Sequence, residues 1–192
     1  MKQKQILLIL CIVLLNICKG TWRELPKYSK SLAYASLVNT IYYYLCRRHL
    51  LWEFIPIGIN WNILRVFHVI IVTPLLVLLF LSDFPKGLIK QIKHLATYVL
   101  MSSIGEYFLN QKKFIQYKHG WNIFWSSIIY VKMYLYSFLI IKRPLLTSVL
   151  TSFSIIYFIR KFNIPINKKH KFSRRFDRLV DYFYHSFLED II

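Results

Sequence analysis

Few residues in this chain have the chemistry to act, and most of them fall in one stretch, Tyr98–Asn122. Glu106 is the one carboxylate set inside an apolar segment, and Tyr117, His119, Gly120, Trp121 and Asn122 follow at the mouth of the next. An ionised carboxylate in hydrocarbon is costly unless it is paired, protonated or hydrated, so its presence asks for a reason. Arg65 and His68 begin an earlier apolar segment. Three residues apart, they share one face of a helix. If the apolar segments cross a membrane, two of them separate the connector 47–61 from the connector 110–120, so both lie on one side. Arg65, His68, Glu106, His119, Trp121 and Asn122 then form a candidate polar pocket at a common depth. Glu106 could pair with Arg65, through two parallel hydrogen bonds, or with His68.

Plainer readings stand beside that one. Arg65 can snorkel to headgroups, Glu106 lies near its segment's end, and Trp121 suits an interfacial aromatic belt. The same groups could instead clamp helices together. Lys132, near the middle of a later segment, is a candidate intramembrane charge, although a lysine stem reaches a turn or two toward water. Asn39 suits a hydrogen bond between helices.

Signals for catalysis are missing. No H-E-x-x-H, G-x-S-x-G, Walker or G-x-G-x-x-G pattern occurs, and no catalytic residue stands out. His68 and Glu106 could form an acid–base pair, but no nucleophile lies beside them in the sequence. Cys11, Cys18 and Cys46 show neither metal-ligand spacing nor a disulfide framework, so no metal or cofactor is expected.

The elements that must position these residues are set by composition. The 192 residues are 56% hydrophobic and only 18% charged, yet the net charge is +18. Soluble domains carry about one quarter charged residues. Such apolarity and such charge coexist when they are segregated, and here apolar blocks alternate with knots of Lys and Arg. That is the layout of membrane spans and connectors facing anionic headgroups. A nucleic-acid partner would explain the charge but not the apolar runs. Spans are expected at 6–18, 32–46, 63–82, 88–109, 121–141 and 145–162, within a bundle covering 1–165. The first could be a signal peptide, but Asn16, Ile17 and Cys18 make a poor cleavage site and favour an uncleaved span. Pro74 should kink the third span.

The tail, 166–192, reads as a basic amphipathic helix. Phe172, Phe176, Leu179, Val180, Phe183, Phe187 and Ile191 fall on one face. Lys168, Lys169, Lys171, Arg174, Arg175 and Arg178 crowd its first half and could bind anionic headgroups. The stripe could equally pack on this or another subunit. With the tail included, Lys and Arg favour the side bearing both termini by 15 to 9, which places them in the cytoplasm.

Several blocks carry a resemblance. They are Phe84-Pro85-Lys86-Gly87 with Lys90-Gln91, Glu106, Tyr117-Lys118-His119-Gly120-Trp121-Asn122, Trp125-Ser126 and Lys142-Arg143-Pro144-Leu145-Leu146, with Trp22-Arg23-Glu24 and Leu51-Trp52-Glu53-Phe54 upstream. In these the chain resembles a small family of multi-pass membrane proteins of low-GC, spore-forming Gram-positive bacteria. The resemblance spans roughly 20–166. It implies an integral membrane protein of five or six helices and supplies no activity.

The expected fold is therefore all-α, a polytopic bundle of five to six spans with a tail helix on the membrane surface. The expected partners are the lipid bilayer, anionic headgroups, and a second copy or another membrane protein. A non-enzymatic role in association, or in the envelope during sporulation, leads. A small transporter or ligand-binding protein using the Glu106 pocket is the alternative, and a membrane-embedded enzyme comes third.

Overall fold

The computed structural model describes residues 2–47, 49–55 and 61–165, which are helical apart from one short ribbon. Helix α1 (Lys2–Cys18) leads through a 3-10 turn at Thr21–Glu24 into α2 (Leu25–Leu45). Strand β1 (Trp52–Phe54) precedes α3 (Trp61–Phe67), which runs through a π-helical stretch, His68–Val72, into α4 (Thr73–Ser82). Then come α5 (Leu88–Gln111), β2 (Ile115–Tyr117), α6 (Ile123–Lys142) and α7 (Pro144–Lys161). The expected tail helix, with Lys168, Lys169, Lys171, Arg174, Arg175 and Arg178, lies outside the described residues.

The π-helical stretch has a local cause. Pro74 lacks an N–H, and its ring would strike the carbonyl of Ile70 in a regular α-helix. The helix widens instead, and the Thr73 N–H bonds to the His68 carbonyl five residues back. The distortion expected at Pro74 thus begins at His68.

Two contacts tie the connectors together at opposite ends of the bundle. At one end Lys19 Nζ meets Asp83 Oδ2 at 2.6 Å, joining the first connector to the third. That hydrogen bond raises the Lys19 ammonium above its ordinary pKa. At the other end β1 and β2 pair antiparallel, with Trp52 opposite Tyr117, Glu53 opposite Gln116 and Phe54 opposite Ile115. The Ile55 N–H donates to Phe114 at 2.9 Å and the Lys118 N–H to Leu51 at 2.8 Å, which extends the ribbon by one pair each way. Strands this short leave little trace in a sequence, and an all-helical expectation passes over them.

Apolar residues form the core and also cover much of the outside of the bundle, and polar groups sit among the core residues. Val77, Leu78, Phe80 and Leu81 of α4 pack with Leu32 and Ala35 of α2, Val99 of α5 and Tyr134 of α6. Between them the Ser31 hydroxyl donates to the Ser137 carbonyl at 2.6 Å, and Ser102 meets the Tyr134 hydroxyl at 2.7 Å. Leu100, Met101 and Phe108 of α5 and Leu145, Val149 and Phe153 of α7 are exposed, Leu145 at 83%. Two helical stretches, Ile63–Ser82 and Ile123–Lys142, are each 20 residues long and apolar enough to cross a membrane. The segments expected at 32–46, 88–109 and 145–162 are helical too but less apolar. α5 carries Lys90, Lys93 and His94, and α2 and α7 are rich in Ser, Thr and Tyr. The apolar part of α1, Ile9–Cys18, is shorter.

The ribbon register is open to direct test. Phe54→Cys with Ile115→Cys, in a chain lacking Cys11, Cys18 and Cys46, should form a disulfide under mild oxidant. Ile115→Cys paired with Trp52→Cys should not, and preferential cross-linking of that pair on non-reducing gels would refute the register.

Candidate functional site

The site is built where α5, β2 and α6 meet. α5 closes with Lys113 in a left-handed conformation (φ 58°), and the Phe114 N–H reaches back to the Leu109 carbonyl at 2.8 Å. The chain then runs along β2 and reverses through His119 (φ 54°) and Gly120 (φ 78°). Two consecutive left-handed residues suit glycine at the second. Asn122 starts α6 as its N-cap, its Oδ1 accepting from the N–H groups of Phe124 at 3.0 Å and Trp125 at 3.3 Å. This hinge brings Tyr117 and the first turns of α6 against the last turns of α5.

Glu106 lies there with 7% of its surface exposed. Three hydroxyls converge on it. Tyr117 donates to Oε1 at 2.9 Å, Ser126 to Oε1 at 2.5 Å, and Tyr130 to Oε2 at 2.6 Å. Trp121 stands behind this set and donates its indole N–H to the Ser126 hydroxyl at 2.9 Å. Each bond delivers a proton toward the carboxylate, which is an acceptor only when ionised. Burial raises the Tyr117 pKa, and the adjacent Glu106 carboxylate raises it further.

Among the described residues, neither Arg65 nor His68 pairs with Glu106. Arg65 faces a different carboxylate, Glu53 of β1, at 3.8 Å. Glu53 is 4% exposed and also ion-pairs with Lys118. His68 Nδ1 lies 3.0 Å from Asn39 Nδ2 and 3.3 Å from the Tyr43 hydroxyl, and Asn39 also donates to Thr73 at 2.8 Å. His119 is exposed and stacks on His49 of the second connector, with ring centroids 3.6 Å apart. Asn122 is spent on capping. Of the other five residues expected in one pocket, only Trp121 reaches Glu106, through Ser126, while His68, Glu106 and Trp121 line a common cavity.

Sequence reasoning passed over Glu53, Ser126 and Tyr130. Ser126 and Tyr130 are four apart and so lie on one helix face, a signal that was readable. Glu53 sat in a connector, where a carboxylate looks solvated until the ribbon covers it.

Beside the carboxylate lies a cavity of about 840 Å³ between α2, α4, α5, α6 and α7. Asn39, His68, Glu106, Ser126, Tyr130 and Lys132 contribute to a wall that is otherwise mainly aliphatic and aromatic. Lys132 is half-buried and its ammonium is held by α7. Its Nζ donates to Ser154 of α7 at 2.9 Å and lies 5.0 Å from the centre of the Phe158 ring. Among the described residues no group of three or more His, Cys, Asp or Glu could hold a metal ion. In comparisons with known proteins, no family model, no curated protein and no solved structure matches the chain.

Two measurements probe this geometry. Tyr130→Phe should destabilise the folded protein by about 1 kcal/mol, and Glu106→Ala, which strands three buried donors, by about 3 kcal/mol. Equal effects in denaturant titrations would contradict the converging shell. At the stacked pair, desolvation, His49 and Lys118 all lower the His119 pKa below its ordinary value of 6.5. A lowered histidine favours the fold when neutral, so this contribution is present above 6.5 and is lost as pH falls through the lowered value. His49→Ala should move the His119 midpoint upward in NMR titrations. A wild-type midpoint at or above 6.5 would refute the stack's effect.

Proposed function

We propose that this chain is a multi-pass integral membrane protein that holds a small, mostly apolar ligand between its helices. The observation that carries the reading is the combination of a few polar groups set in an apolar cavity wall with apolar side chains exposed on the outer faces of α5 and α7. In lipid this is the economical arrangement, because the bilayer solvates the apolar faces and polar groups find one another inside. A cavity of 840 Å³ also falls within the ~300–1,000 Å³ of small-ligand sites, which are mostly apolar with a few placed polar groups.

The reading takes all six long helical segments as spans, although two alone satisfy the length and apolarity criterion. Of the hydroxyl residues in the other segments, Ser31, Ser103, Thr147 and Thr151 are buried, whereas Tyr107, Ser148, Ser152 and Tyr157 are exposed. The ribbon and the Lys19–Asp83 pair support alternating sides, with the second and fourth connectors together and the first and third together. The Lys and Arg excess, which comes from the tail, supports a cytoplasmic side for both termini. The role is one of binding or carriage rather than catalysis. The hydroxyls of Tyr117, Ser126 and Tyr130 all donate to Glu106, which holds its oxygens in place.

Alkaline carbonate should leave the full chain in the membrane pellet, and reporters after residues 50 and 115 should report the same compartment. Release by carbonate, or reporters in different compartments, would sink the membrane reading. For the ligand, native mass spectrometry of purified protein should show a co-purifying small molecule. Val38→Trp, which fills the cavity from α2, should lose it while the helical circular dichroism persists.

A further inference from the structure

We propose that the cavity's ligand is an amphiphile with an apolar tail and an anionic head, and that the head sits on Lys132. The inference rests on the cavity reading above and adds the ligand's chemistry.

The wall comes first. Apart from a few polar groups, the residues lining the cavity are aliphatic and aromatic, among them Val38, Leu76, Ile129 and Phe158, and such a wall suits an apolar tail.

Charge decides the head. Among the side chains that line the cavity are the carboxylate of Glu106 and the ammonium of Lys132, whose surroundings differ. Glu106 is already supplied by three hydroxyl donors. Lys132 has three protons, and Ser154 takes one. The Ser154 hydroxyl gives its own proton to the Leu150 carbonyl at 2.8 Å, so it acts toward Lys132 as an acceptor only. No carboxylate lies within ion-pair distance of Lys132 among the described residues. Lys132 stands at the centre of the 20-residue α6, too deep for its stem to carry the ammonium to water at either end. Tyr136, whose hydroxyl lies 3.4 Å from Ser154, can turn its proton toward the same point. A carboxylate or a phosphate monoester head would complete this set and replace the missing counter-charge.

The test uses the full chain in nanodiscs of neutral phosphatidylcholine, with saturable binding of radiolabelled palmitate as the readout. Unlabelled palmitate and geranylgeranyl monophosphate compete, and the tighter of the two identifies the head as carboxylate or phosphate. Hexadecanol and inorganic phosphate should compete at least about tenfold more weakly, since each lacks the head or the chain. Lys132→Met should weaken palmitate binding by about tenfold or more, and Lys132→Arg should retain it. If Lys132→Met does not fold, Lys132→Gln keeps a donor for Ser154 and carries the same expectation. Hexadecanol competing as well as palmitate, or charge-free Lys132 variants binding palmitate as well as wild type, would overturn the inference and leave the cavity reading intact. No saturable binding of either palmitate or labelled hexadecanol would overturn both.

Discussion

A carboxylate away from water is tolerable only where donors converge on it, and the local fold follows from meeting that demand at Glu106. No donor on α5 serves it. The Tyr117 hydroxyl comes from β2, and those of Ser126 and Tyr130 come from successive turns of α6. Satisfying all three fixes the separation and rotation of α6 against α5. It also requires the tight reversal at His119 and Gly120 that brings β2 back along the end of α5. Low dielectric strengthens each of these bonds and makes a missing one expensive, so the arrangement is specified as well as stabilised.

A second buried carboxylate, Glu53, answers the same demand by a different chemistry. It lies on the ribbon, close to connectors rich in basic groups, and takes cations, with Lys118 and Arg65 both against it. Tyr42 holds the ribbon from below, its hydroxyl donating to the Trp52 carbonyl at 2.9 Å and accepting from the N–H groups of Leu51 and Trp52. Depth explains the division. Long cationic stems serve the carboxylate at the end of the bundle, and short or rigid hydroxyls serve the one farther in. By occupying Arg65, Glu53 leaves Glu106 to its hydroxyls.

Lys132 contrasts with both carboxylates. It is held by Ser154 and Phe158 with no counter-ion among the described residues. Beside a cavity whose remaining wall is mostly apolar, that asymmetry gives the proposed ligand a defined head and tail. The π-helical stretch bears on the same space, because it places His68 on the wall with its ring nitrogen held by Asn39. A proline two turns from the ribbon thereby shapes the cavity.

Much of the architecture was legible in the residues alone. Helix positions follow from where the apolar blocks stop at Gly20, Gly87, Gly120 and Pro144, since backbone rules act locally. The oddity of Glu106 and the depth of Lys132 were equally plain, because a charge in an apolar block is conspicuous whatever surrounds it. Tertiary structure alone decided who meets whom. Arg65 and His68 were equally eligible partners for Glu106 by depth, and rotation about the helix axes awarded Arg65 to Glu53 and His68 to Asn39. The ribbon, the burial of Glu53 and the cavity likewise depend on packing between segments dozens of residues apart. Pairing of that kind is set by azimuth and distance, which a one-dimensional pattern of apolar and charged residues does not encode.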